Sequence, residues 1–382
     1  MIETDLPLRG AWIEIDLAAL ANNMRLIRKT VGKKPLIMPV IKADAYGHGA
    51  CRYAKVLLQN GADRFAVASL QEAISLREAG ITAPILCLGY LPERQYAAAI
   101  RYDITVAVYS YEQGVEVSLA AEQEQKTACV HIKVDTGFTR LGFSVNEGSA
   151  KQVGAISALP FIDVEAVFSH FATADEKDKT FSRIQNEKFC DFIEMCRKEG
   201  VTFRLRHIAN SATIIDMPEY LYEMCRPGII LHGYDPSKDV SLPGLQHVMS
   251  VKAEIARLMK LKKGESVGYG CTWKAQRDSI IATIPLGYAD GVPRSLQKEG
   301  GALIKGMRAP VAGRVCMDYI MLDVTDICAK TQLHTGDIAT ILGSDGELTI
   351  TADELAEHIG TISYEVLSML GNRLPKVYIN DK

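Results

Sequence analysis

The sequence predicts an α/β fold: an N-terminal parallel (β/α)8 barrel of the TIM type, followed by a C-terminal, mostly β domain. Three observations carry this. Eight short apolar runs recur through the first two-thirds of the chain. Amphipathic stretches of helical period separate them, which is the alternation a parallel barrel needs. Near Tyr234-Asp235-Pro236 the composition then shifts to short β-rich segments with glycine turns. The expected domains are residues 1–238 and 239–382.

The eight runs are Pro39 to Ile41, Phe65 to Ala68, Ile85 to Leu88, Ile104 to Val108, Cys129 to Val134, Val164 to Phe168, Phe203 to Ala209 and Cys225 to Leu231. Each is strand-length and ends in a polar residue or glycine. Proline cannot sit inside a strand, so Pro39 is expected to open the first. Asn60-Gly61 and Ala79-Gly80 mark helix ends. Ser182 to Gly200 is the clearest helix, with Ile184, Phe189, Phe192, Ile193 and Met195 roughly on one face.

In the last third, strands are expected at Val251 to Met259, Ile280 to Pro285, Pro310 to Val315, Ile320 to Val324 and Ile338 to Leu342. Val315-Cys316-Met317-Asp318 is expected to close a strand. One helix, Ala352 to Ile359, follows Thr351 as its N-cap.

Composition narrows the function. The 382 residues are 48% hydrophobic and 23% charged, enough to bury a full core. A net charge of −3 gives no reason to expect nucleic acid or an anionic membrane. No apolar run is long enough to span a bilayer, and the acidic start, Met1 to Gly10, is no signal peptide. The nine cysteines are scattered, without metal-ligand spacing. Cys87, Cys129, Cys225 and Cys316 lie in apolar runs and read as reduced core thiols, so a cytoplasmic location and no metal are expected.

Chemistry in such barrels sits where strands end. The ends here offer Lys42, Lys133-Val134-Asp135, Ser169-His170, Asn210-Ser211 and Arg226. Wet loops would explain any one of them. They explain less well a lysine, a histidine, a serine and an arginine from four strands. Lys42 closes an apolar run before Ala43-Asp44-Ala45-Tyr46-Gly47-His48-Gly49. Partial desolvation there disfavours its ammonium and frees a nucleophilic amine, as a Schiff-base lysine requires. The plainer reading is a strand that ends in an exposed lysine.

This string resembles the pyridoxal 5'-phosphate (PLP) signature of the alanine racemase family. Further motifs share the resemblance: Lys133-Val134-Asp135-Thr136-Gly137-Phe138-Thr139-Arg140-Leu141-Gly142, Ser169-His170-Phe171-Ala172, His207-Ile208-Ala209-Asn210-Ser211 and Arg226-Pro227-Gly228-Ile229. Gly268-Tyr269-Gly270, Pro285 to Gly291, Val315 to Asp318 and Thr361-Ile362-Ser363-Tyr364-Glu365 continue it. It covers nearly the whole chain, from Trp12-Ile13-Glu14-Ile15-Asp16 to Arg373-Leu374-Pro375. One departure is Ser363, where the family often has asparagine.

The resemblance implies a PLP-dependent alanine racemase, a homodimer that supplies D-alanine for cell-wall peptidoglycan. Lys42 would carry the cofactor and serve as one catalytic base; Tyr269, from the partner subunit, would be the other. Tyr46, Ser211 and Tyr364 would hold the cofactor phosphate, with amides near Gly228 and Ile229; Asn210 would also bind the cofactor, and His170, bonded to Arg226, would contact Tyr269. Arg140 would meet the cofactor hydroxyl and the substrate carboxylate; Tyr288, Met317 and Asp318 would shape the substrate pocket of the partner subunit, with the Met317 amide on the carboxylate. Lys133 would be carbamylated and hold Arg140; a plain Lys133–Asp pair is the alternative. Arg226 opposite the pyridine nitrogen would keep that nitrogen unprotonated and favour racemisation over transamination. A non-catalytic PLP-carrier barrel lacks residues such as 240 to 382. A basic-amino-acid decarboxylase places an acid where Arg226 stands. Ser363 and Tyr319 leave room for serine as a second substrate.

Overall fold

The computed structural model describes residues 9–371 and 373–381. They form two compact units. One comprises Ala19–Ala45 and Ala50–Gln246; the other comprises His247 onward with 9–18 and Tyr46–Gly49.

The first unit is a closed parallel barrel. Its ladder runs Phe65–Val67, Ile85–Cys87, Ile104–Val108, Ala128–Asp135, Ile162–Phe168 and Leu205–His207, each parallel to the next. Leu36–Ile37 pairs parallel with Met224–Cys225. The ring closes on both sides of that pair. Arg226 N donates to Ala209 O, while Val40 bridges Ala66 and Ile41 N donates to Ala66 O. Each expected strand has a counterpart in order, but the eighth is Met224–Cys225 alone: Pro227 has no N–H to continue a ladder, and Ile229–His232, within and just past the expected run Cys225 to Leu231, is a short 3-10 helix. Pro39 does not open the first, because that strand already begins at Leu36–Ile37. Pro39 lies inside the extended run, where its carbonyl accepts the Ala66 N–H, so the ladder interrupts there but does not end. Met38, Ala66, Leu86, Ala107, Phe168 and Met224 fill one end of the barrel interior as a buried apolar cluster.

The long helix spans Thr180–Lys198. Its buried face is Ser182, Gln185, Phe189, Phe192 and Cys196, whereas Ile184 is exposed. The expected stripe was displaced because a polar residue, Gln185, is the one turned inward. Its amide donates to His170 O and its oxygen accepts the Ala172 N–H.

The second unit is sheet-rich. A seven-stranded sheet orders Met307–Pro310, Gly301–Ile304, Ile338–Asp345, Met249–Glu254, Ala11–Asp16 and Lys376–Ile379, with Leu348–Ile350 paired to Ile338–Asp345. Ala11–Asp16 runs antiparallel to Met249–Glu254 (Ile13 opposite Val251) and parallel to Lys376–Ile379. Arg257–Leu261, Ser279–Ile284 and Ile320–Asp323 make a second sheet.

The single strand expected over Val251 to Met259 is thus two strands in two sheets. The chain changes sheet at Ile255-Ala256, whose amides bond to Asp337 O and Thr283 O respectively. Met307–Pro310 ends where a strand was expected to begin, and 312–319 is a loop, so Val315 to Asp318 leads into a strand instead of closing one. The helix Ala352–Ile359 is as expected, with the Thr351 hydroxyl accepting the Glu354 N–H.

Candidate active site

The ends of the barrel strands gather cations. Lys42 follows the first strand and Lys133 lies in the fifth. Arg140 sits in the loop after it, and Arg226 just beyond the eighth.

Lys42 opens an unusual segment. Ala43, Asp44, Ala45 and Tyr46 all take left-handed helical backbone, with φ of 51°, 55°, 53° and 54°. Such a turn costs L-residues about 1–2 kcal/mol each and persists only where its surroundings hold it. Here the Ala43 N–H donates to Glu72 Oε1 at 2.7 Å, Ala45 N to Ile41 O, and Asp44 Oδ1 accepts the Ala50 N–H. The glycine-rich turn expected after Lys42 is therefore made by non-glycine residues, and Gly47 and Gly49 only finish it. Burial lowers the proton affinity of the Lys42 amine, Arg140 lowers it further, and Glu72 opposes both.

Arg226 is buried and has no carboxylate partner among the described residues. Nη1 donates to His207 Nδ1 (2.7 Å) and His207 O (2.8 Å); Nη2 donates to Ser169 O, Ile208 O and His170 Nδ1. Nε donates to no described residue. Burial brings its pKa down to about 10. A guanidinium cannot accept a hydrogen bond, so both imidazoles accept at Nδ1. A neutral His207 then carries its proton on Nε2 and donates it to His131 Nδ1 at 3.1 Å; His131 Nε2 in turn donates to Glu165 Oε2 at 2.9 Å. Arg64 closes the far end with two bonds to Glu165. His170 and His207 are held well below the usual imidazole range, by burial first and Arg226 second.

Cys129, His131 and Glu165 lie close enough to one another to suggest metal ligands. Both Glu165 oxygens are already engaged by Arg64, which suits the end of a hydrogen-bond chain better than a cation site.

Lys133 is buried, with its amine 4.9 Å from the centre of the Phe168 ring. Its proton affinity falls far below that of an ordinary lysine, through burial, then Arg226 and Arg140. It forms no ion pair with a described residue. Asp135, the expected alternative partner, instead accepts the Gly137 and Thr139 N–H groups on Oδ1 and shapes the loop that carries Arg140. Gly137 there has φ 134°. The Arg140 guanidinium lies 4.3 Å from the Phe138 ring, which meets His170 edge-on.

Ser211 opens the helix Ser211–Asp216, and Asn210 caps it, its side chain accepting the Thr213 N–H. The Ser211 hydroxyl accepts the Gly228 N–H at 2.8 Å, which leaves the Ile229 N–H without a described acceptor.

The second unit holds the remaining expected residues. Tyr46 is buried, its hydroxyl pushed up to about 12 by burial, and its ring centre is 6.3 Å from that of Tyr364. Tyr269 stands between Gly268 (φ 72°) and Gly270 (φ 73°) and is 69% exposed. Tyr288 N donates to Cys316 O and Ala289 N to Met317 O, zipping the two loops together. Gly287 must be glycine, since a Cβ would lie 2.3 Å from Met317 O. Met317 and Tyr288 are exposed beside each other, and Asp318 accepts from Arg373.

His131, Glu165, Arg64 and Glu72 were not singled out from the sequence. One signal was present for His131. In Ala128–Asp135 the residues Cys129, His131, Lys133 and Asp135 alternate with Val130, Ile132 and Val134, which puts one polar face on a barrel strand.

A closed parallel barrel with cations and imidazoles at its strand ends defines an enzyme of the barrel class. Residues 15–236 match the family model "Alanine racemase, N-terminal domain", and 248–378 match "Alanine racemase, C-terminal domain". An alanine racemase of Clostridium tetani is 45% identical over 377 residues, covering 98% of this chain and 96% of that one. The solved alanine racemase of Clostridium difficile 630 superposes with a TM-score of 0.93 at 39% identity, covering 98% and 97% of the two chains. That of Bacillus anthracis with bound L-Ala-P gives 0.92 at 33%, covering 98% and 96%. The chain belongs to the alanine racemase family, and it is an isomerase. Among the described residues no helix is long and apolar enough to cross a membrane.

Proposed function

We propose that this enzyme interconverts L- and D-alanine with PLP and supplies D-alanine for peptidoglycan from the cytoplasm. The observation that carries the cofactor assignment is Arg226: a buried guanidinium with no carboxylate partner and no Nε acceptor among the described residues, in the same rim as the Lys42 amine. These residues fit PLP. Lys42 offers an amine of lowered proton affinity for its aldehyde, Arg226 Nε a donor for its ring nitrogen, and the Ile229 N–H a donor for its phosphate. Tyr46, Asn210, Ser211, Gly228 and Tyr364 complete the proposed phosphate set. PLP supplies an electron sink that acidifies the substrate Cα–H.

The chain's own residues then do the rest. Arg140 binds the substrate carboxylate together with the partner subunit's Met317 N–H, a group that has no described acceptor within its own chain; the partner's Tyr288 and the partner's Asp318 shape the pocket. Lys42 Nζ moves a proton on one face of the substrate carbon. The Tyr269 hydroxyl, contributed by the partner subunit through residues 239–382, moves one on the other. Two bases on opposite faces are what inversion at carbon requires. His170, fixed by Arg226, presents Nε2 to the tyrosine. Arg226 does not yield its proton, so the ring nitrogen stays unprotonated and transamination is disfavoured. Lys133 carries a carbamate that steadies Arg140.

The test is to incubate the protein and PLP with L-alanine, L-serine and L-lysine in parallel. D-alanine formation supports the reading. Comparable D-serine would widen the substrate range, as Ser363 and Tyr319 allow. Release of carbon dioxide from L-lysine without any D-amino acid would overturn it in favour of a decarboxylase, and no turnover at all would favour a PLP carrier.

A further inference from the structure

Glu72 lies outside the proposed machinery, yet its carboxylate joins two elements. It is the third residue of the helix Leu70–Glu78 and forms a capping box with Ser69. Ser69 Oγ accepts the Glu72 N–H, and Glu72 Oε2 accepts the N–H groups of Ser69 (3.1 Å) and Ala68 (2.7 Å). A capping box needs one carboxylate oxygen. The other, Oε1, accepts the Ala43 N–H at 2.7 Å. Ala43 follows Lys42 directly and is the first residue of the left-handed segment. That segment is unfavourable for L-residues and needs an external hold.

We propose that Glu72 is a positioning residue for Lys42: its carboxylate ties the left-handed turn to the start of the helix Leu70–Glu78 and so fixes where the Lys42 amine is presented. This rests on the reading of Lys42 as the cofactor lysine. A carboxylate is the group the geometry asks for. Both of its oxygens accept, whereas an amide of the same size would turn a donor toward either Ala43 or the pair Ala68 and Ser69. The charge acts in the same direction. The ionisable groups that bear on Lys42 are Arg140, Glu72 and His170, and Glu72 is the anion among them.

The experiment uses the full chain as wild type, E72Q, E72D and S69A. Each is mixed with PLP and reduced with borohydride, and the modified lysine is identified by peptide mass. The visible absorbance of the lysine–cofactor link is followed against pH, and kcat and KM for alanine are measured. E72Q is expected to lower kcat by about 10- to 100-fold, the scale on which a misplaced catalytic group acts, with a smaller change in KM. Its limiting rate of link formation at Lys42 falls in parallel, and the pH midpoint moves down because a neighbouring anion is gone. E72D keeps the charge but loses reach. It slows link formation with a midpoint near wild type.

S69A weakens the same helix start without touching Ala43. It leaves link formation, midpoint and kcat within about twofold of wild type, because the Glu72 carboxylate and its bond to the Ala43 N–H remain. An E72Q enzyme with wild-type rate and midpoint overturns the proposal, as does an S69A enzyme impaired to the same degree. If E72Q does not fold, E72D against S69A decides the question. Wild-type protein that reduces at a lysine other than Lys42 overturns the reading of Lys42 itself, and the role of Glu72 with it.

Discussion

Arg226 Nη1 reaches His207 Nδ1 across 2.7 Å, and that one bond sets the direction of every hydrogen bond behind it. The chain of bonds runs from this cation through two imidazoles to Glu165, whose carboxylate Arg64 pairs. Replacing His207 with phenylalanine keeps a ring to stack on Phe168 but removes both nitrogens. Arg226 Nη1 keeps only its bond to a peptide oxygen, and the His131 Nδ1 acceptor is orphaned. The variant should lose about 1–3 kcal/mol of stability by denaturant titration and at least about tenfold in kcat. Full activity would mean that Arg226 is held by its carbonyl contacts alone.

Glu165 gives the fold a pH signature. Burial raises its carboxyl, but the bonds from His131 and Arg64 outweigh burial and hold it well below the ordinary carboxylate range. A depressed carboxyl stabilises the folded state above its unfolded pKa, and that contribution fades as pH falls through about 4 and below. Glu165→Gln should therefore be less stable than wild type by about 3 kcal/mol at neutral pH. The gap should narrow in denaturation curves taken below about pH 4.

Lys133 presents a buried amine whose proton affinity is lowered, and the unprotonated amine is the form that attacks carbon dioxide, losing a proton as the carbamate forms. Protein equilibrated with ¹³C-bicarbonate should show a carbamate resonance that is absent from Lys133→Ala and lost on acidification. Its absence in wild type would leave Lys133 a neutral amine packed on Phe168.

Tyr269 stands exposed between two glycines, as a residue destined for a neighbouring molecule would. Lys42→Ala and Tyr269→Ala should each be inactive alone. Mixed and allowed to exchange subunits, they should recover up to about a quarter of wild-type activity, because random pairing leaves half the dimers with one intact site of two. Mixed dimers without activity would place both bases in one chain.

The barrel was legible because its strands are short apolar runs punctuated at regular intervals, a pattern that survives in one dimension. The long helix was legible in extent but not in facing, since Gln185 turns inward for hydrogen bonds that hydropathy does not register. The left-handed turn at Ala43 to Tyr46 was illegible. No local preference favours it, and only Glu72 and other partners outside the turn make it tenable. Most of the listed rim residues could be named from motifs, whereas His131 and Glu165 looked like ordinary strand residues until the barrel brought their polar faces together. In the sheet-rich unit, Ala11–Asp16 carried a motif but no hint that its neighbours would be Met249–Glu254 and Lys376–Ile379.

That last pairing bears on how the chain is made. Ala11–Asp16 is synthesised long before either strand that flanks it, Met249–Glu254 and then Lys376–Ile379. Most barrel strands find a neighbour soon after they emerge, but this one waits for the whole barrel to be made with its amides and apolar side chains unmatched. Slow assembly, and a need for protection against premature association, should attach to that sheet and not to the barrel.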